Sequence, residues 1–157
     1  MADEEQTAEK RLLIGKIYAK DFSFESPQVP EVFRQSDWKP QTELNIRSSH
    51  TAIQDSHHEI VLTITVEAKA DDKTIFLIEL QQAGLFEIDG YEGEELGAIL
   101  GSFCPNILFP YARESIAALI QKGGFPEFIM QPINFDALYL QAKQQQAVAQ
   151  AEEAEKH

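Results

Sequence analysis

The stretch Glu59–Lys69, EIVLTITVEAK, alternates strictly between apolar and mostly polar side chains. Ile60, Leu62, Ile64, Val66 and Ala68 fall on one side, and Thr63, Thr65, Glu67 and Lys69 on the other. A period of two is the signature of a strand with one buried face, and a helix cannot satisfy it. Asp71-Asp72-Lys73 then reads as a hairpin turn, and Thr74–Ile88 as the returning strand. Phe76, Ile78 and Leu80 belong to its inner face; Ile75 and Leu77 join Glu79 and Gln81 on the outer one. Gly84 inside this run suggests a bulge or bend. A long antiparallel hairpin with one apolar face requires further strands beside it and a layer to cover it.

The rest of the chain supplies both. Leu12–Glu25 reads as a strand with Ile14, Tyr18, Phe22 and Phe24 on its buried face and Asp21, Ser23 and Glu25 outward near its end. Ser26–Gln41 holds Pro27, Pro30 and Pro40, which deny it ladder hydrogen bonding, so it reads as a long connection with one turn of helix. Val29, Val32, Phe33 and Trp38 within it must pack on something or cover something. Glu43–Gln54 is a weaker strand with Leu44 and Ile46 on its apolar side. After Gly90 the period becomes helical: Leu96, Ile99, Leu100 and Phe103 follow i, i+3, i+4, i+7. Gly97 and Gly101 weaken that segment by about 1 kcal/mol each against Ala, and their small size predicts close contact with another helix across an interface. A helix entered at Pro110 sets Ala112, Ile116, Leu119 and Ile120 on one face and ends at Gly123-Gly124. Phe125–Ile133 is another proline-bearing connection. Asn134 caps a last helix packed through Phe135, Leu138, Tyr139 and Ala142. Strands followed by helices mean α+β: a four-stranded antiparallel sheet with helices packed on one side. Residues 1–10 read as a disordered acidic N-terminal tail, 11–143 as the single domain, and 144–157 as a disordered acidic C-terminal tail.

Composition excludes several classes of function. A formal net charge of −13 opposes nucleic-acid binding, which needs cations to displace counterions from phosphates, and opposes binding to anionic membrane surfaces. No run approaches the ~18 apolar residues of a membrane span, and the polar N-terminus is unlike a secretory signal. One cysteine allows no internal disulfide, which points to the reducing cytosol. There is no glycine-rich phosphate loop, so no nucleotide cofactor is expected. A metal site from His50, His57 and His58 is disfavoured, because adjacent strand residues point to opposite faces. Cys104 is the one candidate nucleophile for an enzyme, set against an ordinary role as a small apolar core residue. The odd feature is the outer sheet face, where Ile75 and Leu77 stand among Asp21, Ser23, Glu25 and Glu79. Such a mixed surface fits either a homo-oligomer interface or a docking site for a basic partner.

Four segments, in order, carry a resemblance: IYAKDFSFESP (17–27), LQQAGLFEIDG (80–90), CPNILFPYARESI (104–116) and PINFDALY (132–139). Across about Ile14 to Ala142 the chain resembles SecB, the bacterial export-chaperone family. The resemblance implies a homotetramer, a dimer of dimers. It implies a cytosolic protein that holds unfolded precursor proteins without nucleotide and delivers them to SecA, the translocon ATPase. It also implies that the basic, zinc-bearing C-terminal tail of SecA docks at Asp21, Glu25, Leu77 and Glu79, with Ser23 and Ile75 beside them on the same face. Client chains would lie in apolar grooves, for which the matching candidates are Val29, Phe33, Trp38, Leu44, Ile46, Phe103, Phe109, Tyr111, Phe135 and Tyr139. Whether each aromatic serves the groove or the core stays open at this stage. The alternatives are a SecB-like chaperone dedicated to one partner, of the toxin-antitoxin kind, and a small Cys104-dependent enzyme.

Overall fold

The computed structural model describes residues 9–35 and 39–156. Four strands, β1 (Arg11–Glu25), β2 (Gln41–Gln54), β3 (His57–Ala70) and β4 (Lys73–Asp89), form one antiparallel sheet in the order β1-β4-β3-β2. The two apolar strands read most clearly from sequence are therefore central, and β1 and β2 are the edges. The β3–β4 turn is the two-residue loop Asp71-Asp72, both at positive φ (52° and 60°). That geometry matches the right-handed twist of the flanking strands and suits Asp better than bulkier residues.

Ile60, Leu62, Ile64, Val66 and Ala68 of β3 are fully buried, and Phe76, Ile78 and Leu80 of β4 join them on the inner face. A helical layer covers them. It consists of α1 (Gly93–Ala98), a π-helical turn at Ile99–Phe103, and α2 (Cys104–Lys122), followed by α3 (Phe135–Glu155). In α2, Cys104, Leu108, Ala112, Ile116 and Ile120 recur at every fourth residue and are all fully buried. A spacing of four places them in a single stripe along the helix, which lies against β3 and β4.

The structure corrects several expectations. The α2 helix does not start at Pro110 but runs through it. An interior proline removes one hydrogen bond and crowds the preceding turn, at about 3 kcal/mol; the buried stripe on both sides of Pro110 keeps the helix continuous. The π turn before it, where the Cys104 N–H donates to the Ile99 carbonyl, leads directly into Pro105.

The bulges are not at Gly84. They interrupt β1 between Ile14 and Lys16 and between Ala19 and Asp21, and they affect β2 at Ala52/Gln54 and the β3–β4 ladder at Ala68/Lys69. Gly84 is instead a point of close approach, since a Cβ there would lie 2.6 Å from the Phe86 ring and 2.9 Å from Leu108. The bulges at Gly15 and Lys20 invert the alternation between them, so Ile17 packs on the core and Tyr18, expected inward, turns to the outer face. Ile14 and Phe22 keep the parity of Leu12 and Phe24, which pack on the core, but lie exposed on the edge strand.

Gly97 and Gly101 do admit close contact, but within the chain. The Tyr139 ring of α3 lies on them, 2.4 Å from where a Gly101 Cβ would be. On α3, Phe135 is buried as expected whereas Leu138 is exposed. The helix continues to Glu155, where a disordered tail was expected from Gln144. Its Gln, Ala and Glu residues are good helix formers, so the helix persists without a packed face. Of the expected N-terminal tail, only Glu9 and Lys10 are among the described residues; Lys10 Nζ pairs with Glu95 at 2.9 Å and lies over the Tyr91 ring.

Candidate functional site

Two surfaces on opposite sides of the sheet carry the candidate residues. On the outer face, register sets the geometry. Asp21 is opposite Gln81, Ser23 opposite Glu79, and Glu25 opposite Leu77. Across β4, Glu79 faces Thr65 and Leu77 faces Glu67, which in turn faces Glu43 of β2. Strands about 4.8 Å apart and rows about 6.8 Å apart make this a flat patch. Leu77 sits in a row with Glu25, Glu67 and Glu43, and Glu79 sits one row on. Glu43 and Glu67 are additions to the sequence-derived set; the alternation that turned Thr63, Thr65 and Glu67 outward was the signal for them. Glu67 is partly engaged, accepting from the Thr74 hydroxyl at 2.7 Å with Lys69 at 3.8 Å. Ile75 does not belong to this face. It is the extra residue of the bulge in β4 and is only 4% exposed, because the bulge turns it into the core beside Phe76.

The same face carries a network further along the sheet, in the rows of Ala83 and Leu85. Glu59 of β3 accepts from the Tyr18 hydroxyl at 2.5 Å and from Lys20 Nζ at 2.7 Å. Lys20 and then Tyr18 hold the Glu59 carboxyl below its usual range. Burial, with the Glu59 contact second, pushes the Tyr18 hydroxyl up to about 12.

On the helix side, β2 and α3 bound a cleft of about 600 Å³. Ile46, Leu100, Phe135, Leu138 and Tyr139 give it apolar walls, and His50 and Lys143 stand in its lining. The α3 wall is held at its N-terminal end. Asn134 accepts from the Ala137 N–H at 3.0 Å, Asp136 accepts from the Ser102 hydroxyl, and Phe135 meets Phe109 edge-on at 5.7 Å. Tyr139 lies on the glycines, and Lys143 is over its ring at 5.5 Å. Among the described residues β2 pairs with β3 alone, which leaves its other edge unpaired along the cleft.

The client-groove candidates therefore separate. Ile46, Phe135 and Tyr139 line the cleft, although Phe135 is otherwise a core residue, as is Phe109. Leu44 is exposed on the same strand. Phe103 and Tyr111 lie two helical turns apart and are 46% and 51% exposed. Val29 and Phe33 are exposed in the connection before β2; the Phe33 ring meets Phe125 tilted at 5.4 Å, and Phe125 clusters with Phe76 and Phe24 at 5.1–6.3 Å. Trp38 lies outside the described residues. The exposed Leu138 and the polar rim of the cleft, including His50, are not among the groove candidates, which are apolar and aromatic residues of a connection, β2 and the helices.

The other sequence candidates can be placed as well. Among the described residues no group of three metal-ligating side chains comes together. His58 is held below its ordinary range by burial first and by His50 and His57 after that. Cys104 is fully buried in the α2 stripe, and burial pushes its thiol up to about 12. A nucleophile needs a thiolate, and burial of Cys104 works against forming one. Native protein is expected to resist iodoacetamide at pH 8 over hours and to react within minutes in denaturant. Rapid alkylation of the folded protein would contradict this burial. Among the described residues no helix is long and apolar enough to cross a membrane.

This chain is similar to a well-defined set of proteins. The family model "Preprotein translocase subunit SecB" matches residues 5–146. The protein-export protein SecB of Nitrosococcus oceani is 50% identical over 150 residues, covering 95% of this chain and 92% of its own. That of Hahella chejuensis is 52% identical, covering 90% and 89%, and that of Marinobacter nauticus is 46% identical over the full length of both. Among solved structures, a Mycobacterium tuberculosis SecB-like chaperone in complex with a ChAD peptide from the HigA1 antitoxin superposes with a TM-score of 0.65 at 17% identity, covering 78% of this chain and 91% of that one. At that identity the likeness concerns the fold alone. With half-identical relatives along nearly its whole length and a family model spanning the sheet and the helices, this chain belongs to the SecB family.

Proposed function

We propose that this protein holds unfolded precursor chains on its helix side, without ATP, and hands them to SecA through the acidic outer face. Membership of the family makes it a protein-export chaperone. The observation that carries the finer reading is the pairing of a free 14-residue edge strand with an apolar-walled cleft, on the side opposite a flat carboxylate-rich surface.

An extended client can add to the β2 edge through main-chain hydrogen bonds, which make no demand on sequence, while its apolar side chains enter the cleft. Each buried large apolar side chain contributes roughly 1.5–3 kcal/mol. Ordering a flexible chain opposes this, so one anchor does not hold a client and several do. A homotetramer, a dimer of dimers, would multiply the anchors, and the −13 charge on each copy would keep a loaded assembly dispersed. Folded proteins bury their anchors and offer no free strand, which makes the unfolded state the recognised feature. The cytosol is where precursors and SecA would meet it.

A chaperone dedicated to a single partner is the second reading. The M. tuberculosis neighbour bound to an antitoxin peptide illustrates it, but the export-protein relatives favour the first. The test is binding of one slow-folding polypeptide, denatured and native, in the absence of nucleotide. Tight binding of the denatured form alone is expected. Binding of neither form, or of both equally, would remove the holding function.

A further inference from the structure

The acidic face depends on a phase change in β1. Before the second bulge the outward residue is Tyr18, opposite Ala83; after it the outward residues are Asp21, Ser23 and Glu25. Without the extra residue the strand would keep its even-numbered side chains outward, presenting Phe22 and Phe24 and turning the carboxylates into the core. The extra residue is Lys20, a cation placed directly beside Asp21. Asp21 uses one carboxylate oxygen to accept from the Phe22 N–H at 2.8 Å.

Glu59 reaches this point from β3, across β4. It takes the side chains on both sides of Ala19, the Tyr18 hydroxyl and the Lys20 ammonium, with one carboxylate oxygen each. The Glu59 side chain is only 16% exposed, whereas that of Lys20 is 47% exposed. The hollow they share, about 430 Å³, also includes Arg47, which makes no ion pair among the described residues. Glu59 therefore draws the Lys20 ammonium toward β3 and away from Asp21, Glu25 and Glu79.

We infer that Glu59 is a positioning residue for the docking face: it anchors the bulge through Tyr18 and sequesters Lys20, leaving the outer carboxylates unopposed for a cationic partner segment. This rests on the docking reading above. A purely structural tie would hold the strand in place and nothing more; sequestration also makes the partner's affinity depend on where the Lys20 charge goes.

The experiment measures binding of a zinc-loaded SecA C-terminal peptide at low salt to the assembled protein and four variants. Glu59→Gln keeps an oxygen for the Tyr18 hydroxyl but releases Lys20, and is expected to weaken binding about three- to fivefold, the scale of one exposed ion pair. Adding Lys20→Gln to Glu59→Gln removes the released charge and should restore binding to within about twofold of the parent. Lys20→Gln alone should bind as well as the parent or better. The inference is overturned if Glu59→Gln binds like the parent, if the double variant does not recover, or if Lys20→Gln alone binds more weakly. Glu79→Lys is the control. If it too binds like the parent, the docking reading itself has failed and this inference falls with it, whereas loss in Glu79→Lys without loss in Glu59→Gln refutes the inference alone.

Discussion

Ile116→Ala is expected to lower folding stability by about 2–5 kcal/mol, the range for truncating a fully buried aliphatic side chain. Ile116 sits in the middle of the α2 stripe between Ala112 and Ile120, all without solvent exposure. The lost side chain removes apolar transfer energy, and the rigid sheet beneath cannot collapse to fill the space. Domains of this size are held by only about 5–15 kcal/mol, so the variant would sit near the edge of stability at 37 °C. Urea unfolding checks it: the midpoint should fall with little change in slope. Both proteins must be compared at one concentration, since any assembly stabilises the folded chain by mass action. A loss below about 1 kcal/mol would mean that α2 does not bear on β3 and β4 as described.

Glu79→Lys carries the second large effect. Glu79 is exposed on the central strand, with Ser23 on one side and Thr65 on the other and Leu77 one row away. Reversal removes an attraction for a basic segment and adds a repulsion, so affinity for the SecA tail is expected to fall by on the order of tenfold. The loss should shrink as salt rises, because the charges involved are exposed. Holding of an unfolded client, on the other side of the sheet, should change by less than about twofold, since exposed substitutions away from a contact stay within ±0.5 kcal/mol. Equal loss of both activities in a protein that still assembles would sink the assignment of two functions to two faces.

Much of the fold was legible before any coordinates. The alternation in Glu59–Lys69 placed Ile60 to Ala68 inward, and all five are buried. A central strand is covered on one face and paired on both edges, so its own period reports its environment. The last helix began where Asn134 could cap it, because capping is local chemistry. The outward set Asp21, Ser23, Glu25, Leu77 and Glu79 follows from register, and the ladder brings these residues onto one patch.

Other features were decided only by tertiary contacts. Ile75 and Leu77 have the same parity in sequence, yet one is core and the other surface, because a bulge opposite Ala68 and Lys69 separates them. Bulges are set by what the neighbouring strand presents, and nothing within Thr74–Ile88 announces one. Pro110 reads locally as a helix start; packing on both sides of it keeps α2 unbroken. Gly97 and Gly101 announce a close approach, but only the path of α3 identifies Tyr139 as the group that approaches. The cleft is of the same kind. Ile46, Leu100 and Phe135 come from three distant segments, and no local pattern relates them. The sequence by itself determined the strands, the buried face of β3 and the charge of the outer surface, because those depend on neighbours within a few residues. The phase of the edge strand and the walls of the cleft were decided by tertiary structure, because they depend on which segments meet.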